Sequence, residues 1–441
     1  MKRLAEQFLK DWAKGPQPKP LLLRGARQVG KSTLVTNFAR ENGLKLVPMN
    51  LEILKIKSLE SNPGAIDQAL KEIRVKTNLP VDENDPTTLL FFDEIQESPE
   101  ILTSLRYFYE NKPGLKVISA GSLLEFALKA PDFSMPVGRI QYLHLGPMTF
   151  FEFLEALGEN ALLTAIIEDP HQDFLFETAV HKMREYFFVG GMPEAVKVYA
   201  TSKDPRSVRT VHSSILQTYR DDFPKYSTRA QVPRVEKIFE RLPQAIAKKV
   251  KYSQLMPEEK SREVKKALDL LFDARVALRC LHTNATGLPL KALSDERILK
   301  PYFLDIGLLS ASFGIEWSEL MGLSQTELVV KGALAEQFVA QHLNLRSSED
   351  STPELFYWLR DKNSARAEID FVLAFEGHIY PVEVKAGETG TLKSLKLFCE
   401  ETKNPHAVRL DLKKRLKNEK LGDAVLWNHP LFAIETLLKN P

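Results

Sequence analysis

Eight consecutive residues, Gly25-Ala26-Arg27-Gln28-Val29-Gly30-Lys31-Ser32, constrain this chain more than any other stretch. They match the spacing G-x-x-x-x-G-K-[ST] in full. The apolar run Leu21–Leu23 precedes them, and a segment of helical spacing, Lys31 to Glu41, follows with Leu34, Val35, Phe38 and Ala39 on one face. Strand, glycine loop and helix is the setting the motif requires. The two glycines can enter backbone conformations closed to other residues. The loop from Gly25 through Thr33 can then wrap a phosphate chain with its N–H groups turned inward, at the positive end of the helix dipole. Lys31 would reach the β- and γ-phosphates. Ser32 would offer its hydroxyl to Mg2+, with Thr33 beside it. The expected cofactors are ATP and Mg2+.

A second signal is Leu89-Leu-Phe-Phe-Asp93-Glu94. An apolar strand ending in two acids sets carboxylates at the carboxyl edge of a sheet, where ligands bind in α/β folds. Asp93 would hold Mg2+, and Glu94 would orient or deprotonate an attacking water. Further strands are expected at 44–47, 116–119 and 140–145, with a helix from Pro99 to Tyr109 between them. This alternation predicts a parallel sheet covered on both faces. Ser122, after the fourth strand, is placed to touch a γ-phosphate or the lytic water. Arg139, before the fifth, is a candidate for stabilising transition-state charge, in cis or from a neighbouring subunit. The stretch from 150 to about 200 reads as helical.

The middle of the chain changes character. Helices are expected at 232–249, 252–255 and 261–273, then an extended stretch at 276–282 and a hairpin or loop to Lys300. This is the outline of a winged helix-turn-helix. Lys248, Lys249, Lys251, Arg262, Lys265 and Lys266 could give it a DNA-binding patch. Such a surface must be local, because 60 Lys+Arg against 58 Asp+Glu leave a formal charge of only +2.

The last part opens with a helix at 327–345, followed by strands at 355–360, 368–375 and 378–385. If Glu376-Gly377 is a hairpin turn, Asp370 faces Glu383 and Glu368 faces Lys385, all four on one face of the pair. Ile369, Phe371, Tyr380, Val382 and Val384 then form a core face. Two carboxylates beside a lysine can hold a divalent ion and activate water. No role is assigned to Glu368, and Asp305 reads as a helix cap.

The segments GARQVGKS, LLFFDEIQ, ISAGSLL, GRIQYLHLGPMTFFEFL and FFVGGMPEAV together resemble a widespread group of prokaryotic AAA-superfamily ATPases. These carry a C-terminal domain of unassigned function similar to PD-(D/E)xK nucleases. The resemblance implies an AAA-type P-loop sheet, Ser122 as a sensor-like residue and Arg139 near the nucleotide. It also implies that the Gly190-Gly191-Met192-Pro193 turn approaches the nucleotide. It casts Asp370, Glu383 and Lys385 as the nuclease-like residues, with Glu336 as the helical acid of a second metal site made with Asp370 and Glu383. A hexameric ring is not expected, for no separate sensor arginine stands in the helical region.

The expected domains are an ATPase with its helical region at 1–204, a winged helix at 205–320 and a nuclease-like α/β domain at 321–441. The expected function is an ATP-hydrolysing switch associated with DNA. The alternatives are an ATP-regulated, metal-dependent DNA endonuclease and a slow ATPase that docks a protein partner. Two cysteines exclude a disulfide framework. No run approaches the length of a membrane span and no signal-peptide core is present, so a cytoplasmic location is expected. The oligomeric state stays open.

Overall fold

The computed structural model describes residues 1–129, 138–322, 332–346, 354–362, 365–385, 392–413 and 417–439. The expected loop at 346–353 and the first turn of the expected 327–345 helix lie largely outside them.

Five strands form the first sheet: β1 (Leu21–Arg24), β2 (Lys45–Asn50), β3 (Thr88–Asp93), β4 (Lys116–Gly121) and β5 (Gln141–His144). All are parallel, in the order β2-β3-β4-β1-β5. Alternating residues feed two cores. Leu21, Leu23, Leu89, Phe91 and Ile118 pack on the side of the helix Lys31–Glu41. Leu22, Leu90, Phe92 and Val117 pack against Ile101, Leu105 and Phe108 of the helix Pro99–Asn111. Because β1, β3 and β4 run the same way, the glycine loop, Asp93-Glu94 and Ser122 all emerge at one edge. What precedes a strand lies at the other edge.

Four helices follow the sheet: Phe150–Ala156, Asn160–Glu168, Leu175–Val189 and Pro193–Ser202. Thr149 and Glu152 start the first with a reciprocal capping box. A 22-residue helix, Pro205–Tyr226, capped by Asp204, comes next.

The middle segment has the helices Val232–Ala245, Tyr252–Leu255 and Ser261–Asp273, then the antiparallel pair β6 (Ala277–Thr283) and β7 (Ser294–Phe303). That pair is not a free hairpin. β6 also pairs in parallel with β8 (Leu355–Lys362), and β8 with β9 (Ala365–Ile369), giving a four-stranded sheet β7-β6-β8-β9. β6 is paired on both edges, and Ala277, Leu278, Cys280 and Leu281 along it are buried. One sheet therefore runs across residue 320.

A third sheet holds β10 (Phe371–Phe375), β11 (His378–Val384), β12 (His406–Asp411), β13 (Asn418–Leu421) and β14 (Ala424–Pro430), in the order β10-β11-β12-β14-β13. Phe371 pairs with Val382 and Phe375 with His378, the register expected from a Glu376-Gly377 turn. The expected pairing stops there. The chain bends at Asp370 and crosses to the second sheet, so Glu368 pairs with Leu359 of β8 rather than facing Lys385. Asp370, at the bend, stays beside β11, where its Oδ2 accepts from Val384 N at 2.8 Å, and Glu383 pairs on the other edge of β11 with Arg409 of β12.

The helix Gly332–Arg346 ties these parts together through its polar residues. Gln337 accepts from Phe303 N and donates to Phe303 O, both at 2.8 Å. Gln341 accepts from Ile306 N at 2.9 Å and donates to the Tyr186 hydroxyl at 2.9 Å. His342 Nε2 accepts from Phe150 N at 2.9 Å. No helix among the described residues is long and apolar enough to cross a membrane.

Candidate active site

Gly25 shows why the loop takes its shape. Its φ is +154°, and a Cβ there would stand 2.1 Å from Leu145 O. Only glycine lets β5 come so close. Gly30, with φ +91°, turns the chain into the helix that begins at Lys31. Three hydrogen bonds to other elements hold loop residues in place. Tyr219 Oη donates to Arg27 O at 3.1 Å, Arg3 Nη1 to Val29 O at 3.0 Å, and Gln28 Nε2 to Thr218 Oγ1 at 3.2 Å. Turning loop carbonyls outward is the arrangement that lets amide N–H groups face a phosphate.

Lys31 is buried, and its ammonium donates to Gly25 O at 2.9 Å and Ala26 O at 2.8 Å. Burial pushes its pKa down to about 8, against the opposing pull of Glu94 and Asp93. An arriving phosphate would exchange these carbonyls for full negative charge. Ser32 Oγ donates to Asp93 Oδ2 at 2.6 Å, which brings a hydroxyl and a carboxylate from the two motifs together. Burial raises the Asp93 carboxyl above its ordinary value. These are oxygen donors of the kind Mg2+ prefers, so the pair fits that ion together with phosphate and water ligands.

Glu94 sits just past the strand at φ 54°, a left-handed conformation costly for a non-glycine residue. Its carboxylate Oε2 accepts from Gln96 Nε2 at 2.7 Å and from Ser122 Oγ at 3.2 Å. Burial would raise its pKa, but the Gln96 hydrogen bond and the charges of Lys31 and Arg27 hold it below the ordinary range. It is thus an ionised carboxylate at neutral pH, with Ser122 beside it.

The structure separates Arg139 from this group. Its Nε pairs with Glu110 Oε1 at 3.2 Å. Arg139 precedes β5, whose first residue, Gln141, is level with Leu21 at the start of β1. A four-residue strand, about 13 Å at 3.3 Å per residue, therefore lies between it and the loop. Sequence order misled here: a residue just before a parallel strand falls at the opposite edge from one just after it. The sequence marks Arg27 only as a loop residue, yet its Nε donates to Ser122 Oγ at 3.3 Å and pairs with Asp222 Oδ2 at 3.0 Å. The Gly190–Pro193 turn does reach the loop. Pro193 Cγ would lie 3.4 Å from a Cβ on Gly30. The buried Asp305 holds this turn, accepting from Gly191 N at 2.6 Å while capping its own helix through Leu308 N at 3.0 Å. Burial raises the Asp305 carboxyl to about 6.

The C-terminal acids also gather, around a residue that sequence reasoning missed. Lys300 of β7 is 1% exposed. Its ammonium pairs with Glu368, with Glu336 Oε2 at 3.3 Å and with Asp370 Oδ1 at 3.7 Å. Tyr302 Oη donates to Glu336 Oε2 at 3.0 Å, and Val384 N donates to Asp370 Oδ2 at 2.8 Å. Lys385 pairs with Glu383. Burial raises Glu336, Asp370 and Glu383 above their ordinary values. Burial opposes the charge on Lys300, but Glu336, Asp370 and Glu368 outweigh it and raise its pKa well above the usual.

Around the expected second metal site, Lys300 pairs with Glu336 and Asp370, and Lys385 pairs with Glu383. A lysine ammonium stands among the acids where a divalent cation would go. Among the described residues no three His, Cys, Asp or Glu side chains are grouped to hold a metal ion. The available signal was local: a lysine inside the apolar run Ile298 to Phe303 needs a buried partner.

Comparison with known proteins agrees with the first sheet. Residues 17–154 match a family model described as AAA domain. Residues 180–319 match a domain of unknown function (DUF8612), and residues 331–432 another (DUF4143). No curated protein matches the chain. Among solved structures it is similar to the Walker-type ATPase PABY2304 of Pyrococcus abyssi, at 16% identity and a TM-score of 0.46, covering 70% of this chain and 94% of that one. It is similar to the ORC2 protein of Aeropyrum pernix, at 14% identity and a TM-score of 0.34, covering 75% and 92%. The RuvB Holliday junction branch migration motor of Thermotoga maritima is 17% identical, with a TM-score of 0.29 and coverage of 62% and 85%.

Proposed function

We propose, for a chain whose residues 17–154 match an AAA domain on a five-stranded parallel sheet, that it binds ATP and hydrolyses it as a molecular switch. One observation carries this reading: the loop, the Ser32–Asp93 pair and the Glu94–Ser122 pair meet at a single sheet edge. The loop amides and Lys31 bind the phosphates. Glu94 orients the attacking water and accepts its proton, Ser122 holds Glu94, and the water oxygen bonds to the γ-phosphorus as the bridging oxygen leaves on ADP. Mg2+ held by Ser32 and Asp93 would neutralise phosphate charge.

The switch is proposed to act on DNA through the middle segment. Of the residues read as a basic patch, Lys248, Lys251, Arg262 and Lys266 are exposed. Lys266 pairs with Glu263 at 3.1 Å and Lys265 with Glu296 at 3.4 Å, so part of the positive charge is already met within the chain. The endonuclease alternative, with Asp370, Glu383 and Lys385 as its residues, loses support to Lys300. Docking of a protein partner is the outcome if DNA is not bound.

Steady-state ATP turnover tests the first step. Lys31→Ala should abolish nucleotide binding. Glu94→Gln should keep binding and cut turnover by about 10² or more, the usual weight of a general base. Unchanged hydrolysis in both variants refutes the reading. DNA affinity that falls steeply with added salt supports the second step, and no measurable affinity at low salt rejects it.

A further inference from the structure

Five arginines bear on the loop or were expected to. Arg3 is spent on Glu152 and on the carbonyls of Val29 and Gly146. Arg24 and Arg275 share the carboxylate of Glu125. Arg139 pairs with Glu110 at the far edge. Arg27 differs in position and in the strength of its ties.

It belongs to the loop itself, three residues before Gly30 and four before Lys31. Its side chain is 23% exposed. Its Nε is 3.3 Å from Ser122 Oγ, and that hydroxyl is 3.2 Å from Glu94 Oε2. Only one hydroxyl therefore separates the guanidinium from the carboxylate proposed to face the water. Its acid partners are exchangeable. Glu52 is 3.9 Å away and about half exposed. Asp222, at 3.0 Å, also holds Lys225 at 2.9 Å, so it keeps a cation if Arg27 leaves.

We infer that Arg27 is the arginine that meets the γ-phosphate: when ATP binds, its guanidinium exchanges Asp222 for phosphate oxygens and stabilises the charge of the transition state. The inference rests on the ATP-hydrolysis reading above. A guanidinium suits this task because it stays charged and offers several donors in a planar fork. Arg27 forms no bond to phosphorus and transfers no proton. Because it comes from the loop, hydrolysis needs no arginine from a second copy, and turnover per molecule is independent of protein concentration. The Asp222 pair ties the loop to the helix Pro205–Tyr226. ATP binding would release that tie, so the same exchange reports the nucleotide to the segment that follows.

The test compares Arg27→Ala, Arg27→Lys and Asp222→Asn with the wild type, in the full chain. The measurements are kcat, ADP affinity and affinity for ADP with aluminium fluoride, which mimics the transferring phosphoryl group. Arg27→Ala should lose about 10³-fold or more in kcat, the usual weight of such an arginine. It should keep ADP affinity within about threefold and lose the added affinity that aluminium fluoride confers. Arg27→Lys should recover part of the rate. Asp222→Asn removes the competing carboxylate, so its kcat should equal or exceed that of the wild type.

A purely structural latch predicts instead that Arg27→Ala and Asp222→Asn fall together, and that result overturns the inference. So does an Arg27→Ala kcat within about tenfold of the wild type. A wild type that binds ATP without hydrolysing it refutes the ATPase reading and this inference with it. A hydrolysing wild type with an indifferent Arg27→Ala refutes this inference alone.

Discussion

Replacing Lys300 by methionine removes the cation around which Glu336, Glu368 and Asp370 converge, while keeping most of the side-chain volume. Lys300 is 1% exposed, so water cannot take over its role. Breaking a buried pair by removing one partner costs about 3–5 kcal/mol, because it leaves uncompensated buried charge. Against a total stability of about 5–15 kcal/mol, that loss is large.

The acids can reduce the cost by taking up protons, which makes it depend on pH. Glu336, Asp370 and Glu383 already have raised pKa values in the folded protein. A raised carboxyl contributes stability that is fully present below its unfolded pKa, near 4, and is lost as pH rises through the folded value. Without Lys300 those folded values climb further. Lys300→Met should therefore be destabilised modestly near pH 5 and by the full amount near pH 8. Urea unfolding followed by tryptophan fluorescence measures the difference, since Trp358 is buried close by in β8. Adding Glu336→Gln should return about half the loss at pH 8, through a coupling energy that a double-mutant cycle isolates. A loss below about 1 kcal/mol at pH 8, or the same loss at both pH values, would refute the claim that Lys300 is the counter-charge of this cluster.

Other substitutions probe separate parts of the molecule. Gly25→Ala forces a Cβ to 2.1 Å from Leu145 O, so β5 must shift; fluorescent-nucleotide titration should show binding lost, and normal affinity would contradict the loop geometry. Arg139→Ala should leave ATP turnover within about twofold of the wild type, as expected of a surface pair remote from the loop. Asp305 carries a pKa raised to about 6, so its stabilising contribution is present below the ordinary carboxyl value and lost as pH rises through 6. The stability of Asp305→Asn relative to the wild type should accordingly improve between pH 4 and pH 7 in thermal melts, and an unchanged gap would count against the raised value.

Much of the first sheet was legible because its signals are local. Lys31–Glu41 is a helix over the expected residues, and the apolar run before Asp93 is a buried parallel strand. The Glu376-Gly377 turn predicted the β10–β11 register correctly. The same reasoning failed at Glu368, because a hairpin rule continues a strand that here bends at Asp370 and changes sheets. Arg139 shows a different failure. Sequence neighbourhood does not give spatial neighbourhood there, because the parallel direction of β5 places its start away from the loop of the same chain. The partners of Lys300 and the pairing of β8 with β6 were illegible for a third reason. The partners of Lys300 lie 36 to 70 residues downstream, and no local pattern names a partner at that distance.

The helix Gly332–Arg346 has a consequence for synthesis. Phe150 N, at the start of the first helix after the parallel sheet, waits for His342, 192 residues later in the chain. At roughly 5–20 residues per second, a ribosome needs about 10–40 s to supply that partner. Phe303 and the Tyr186 hydroxyl likewise depend on Gln337 and Gln341. Phe150 N must therefore spend that interval in water or on a chaperone, and Phe303 and Tyr186 wait the shorter times set by gaps of 34 and 155 residues. A chain stopped before residue 332 would emerge with its nucleotide loop intact in sequence and its helical region still open.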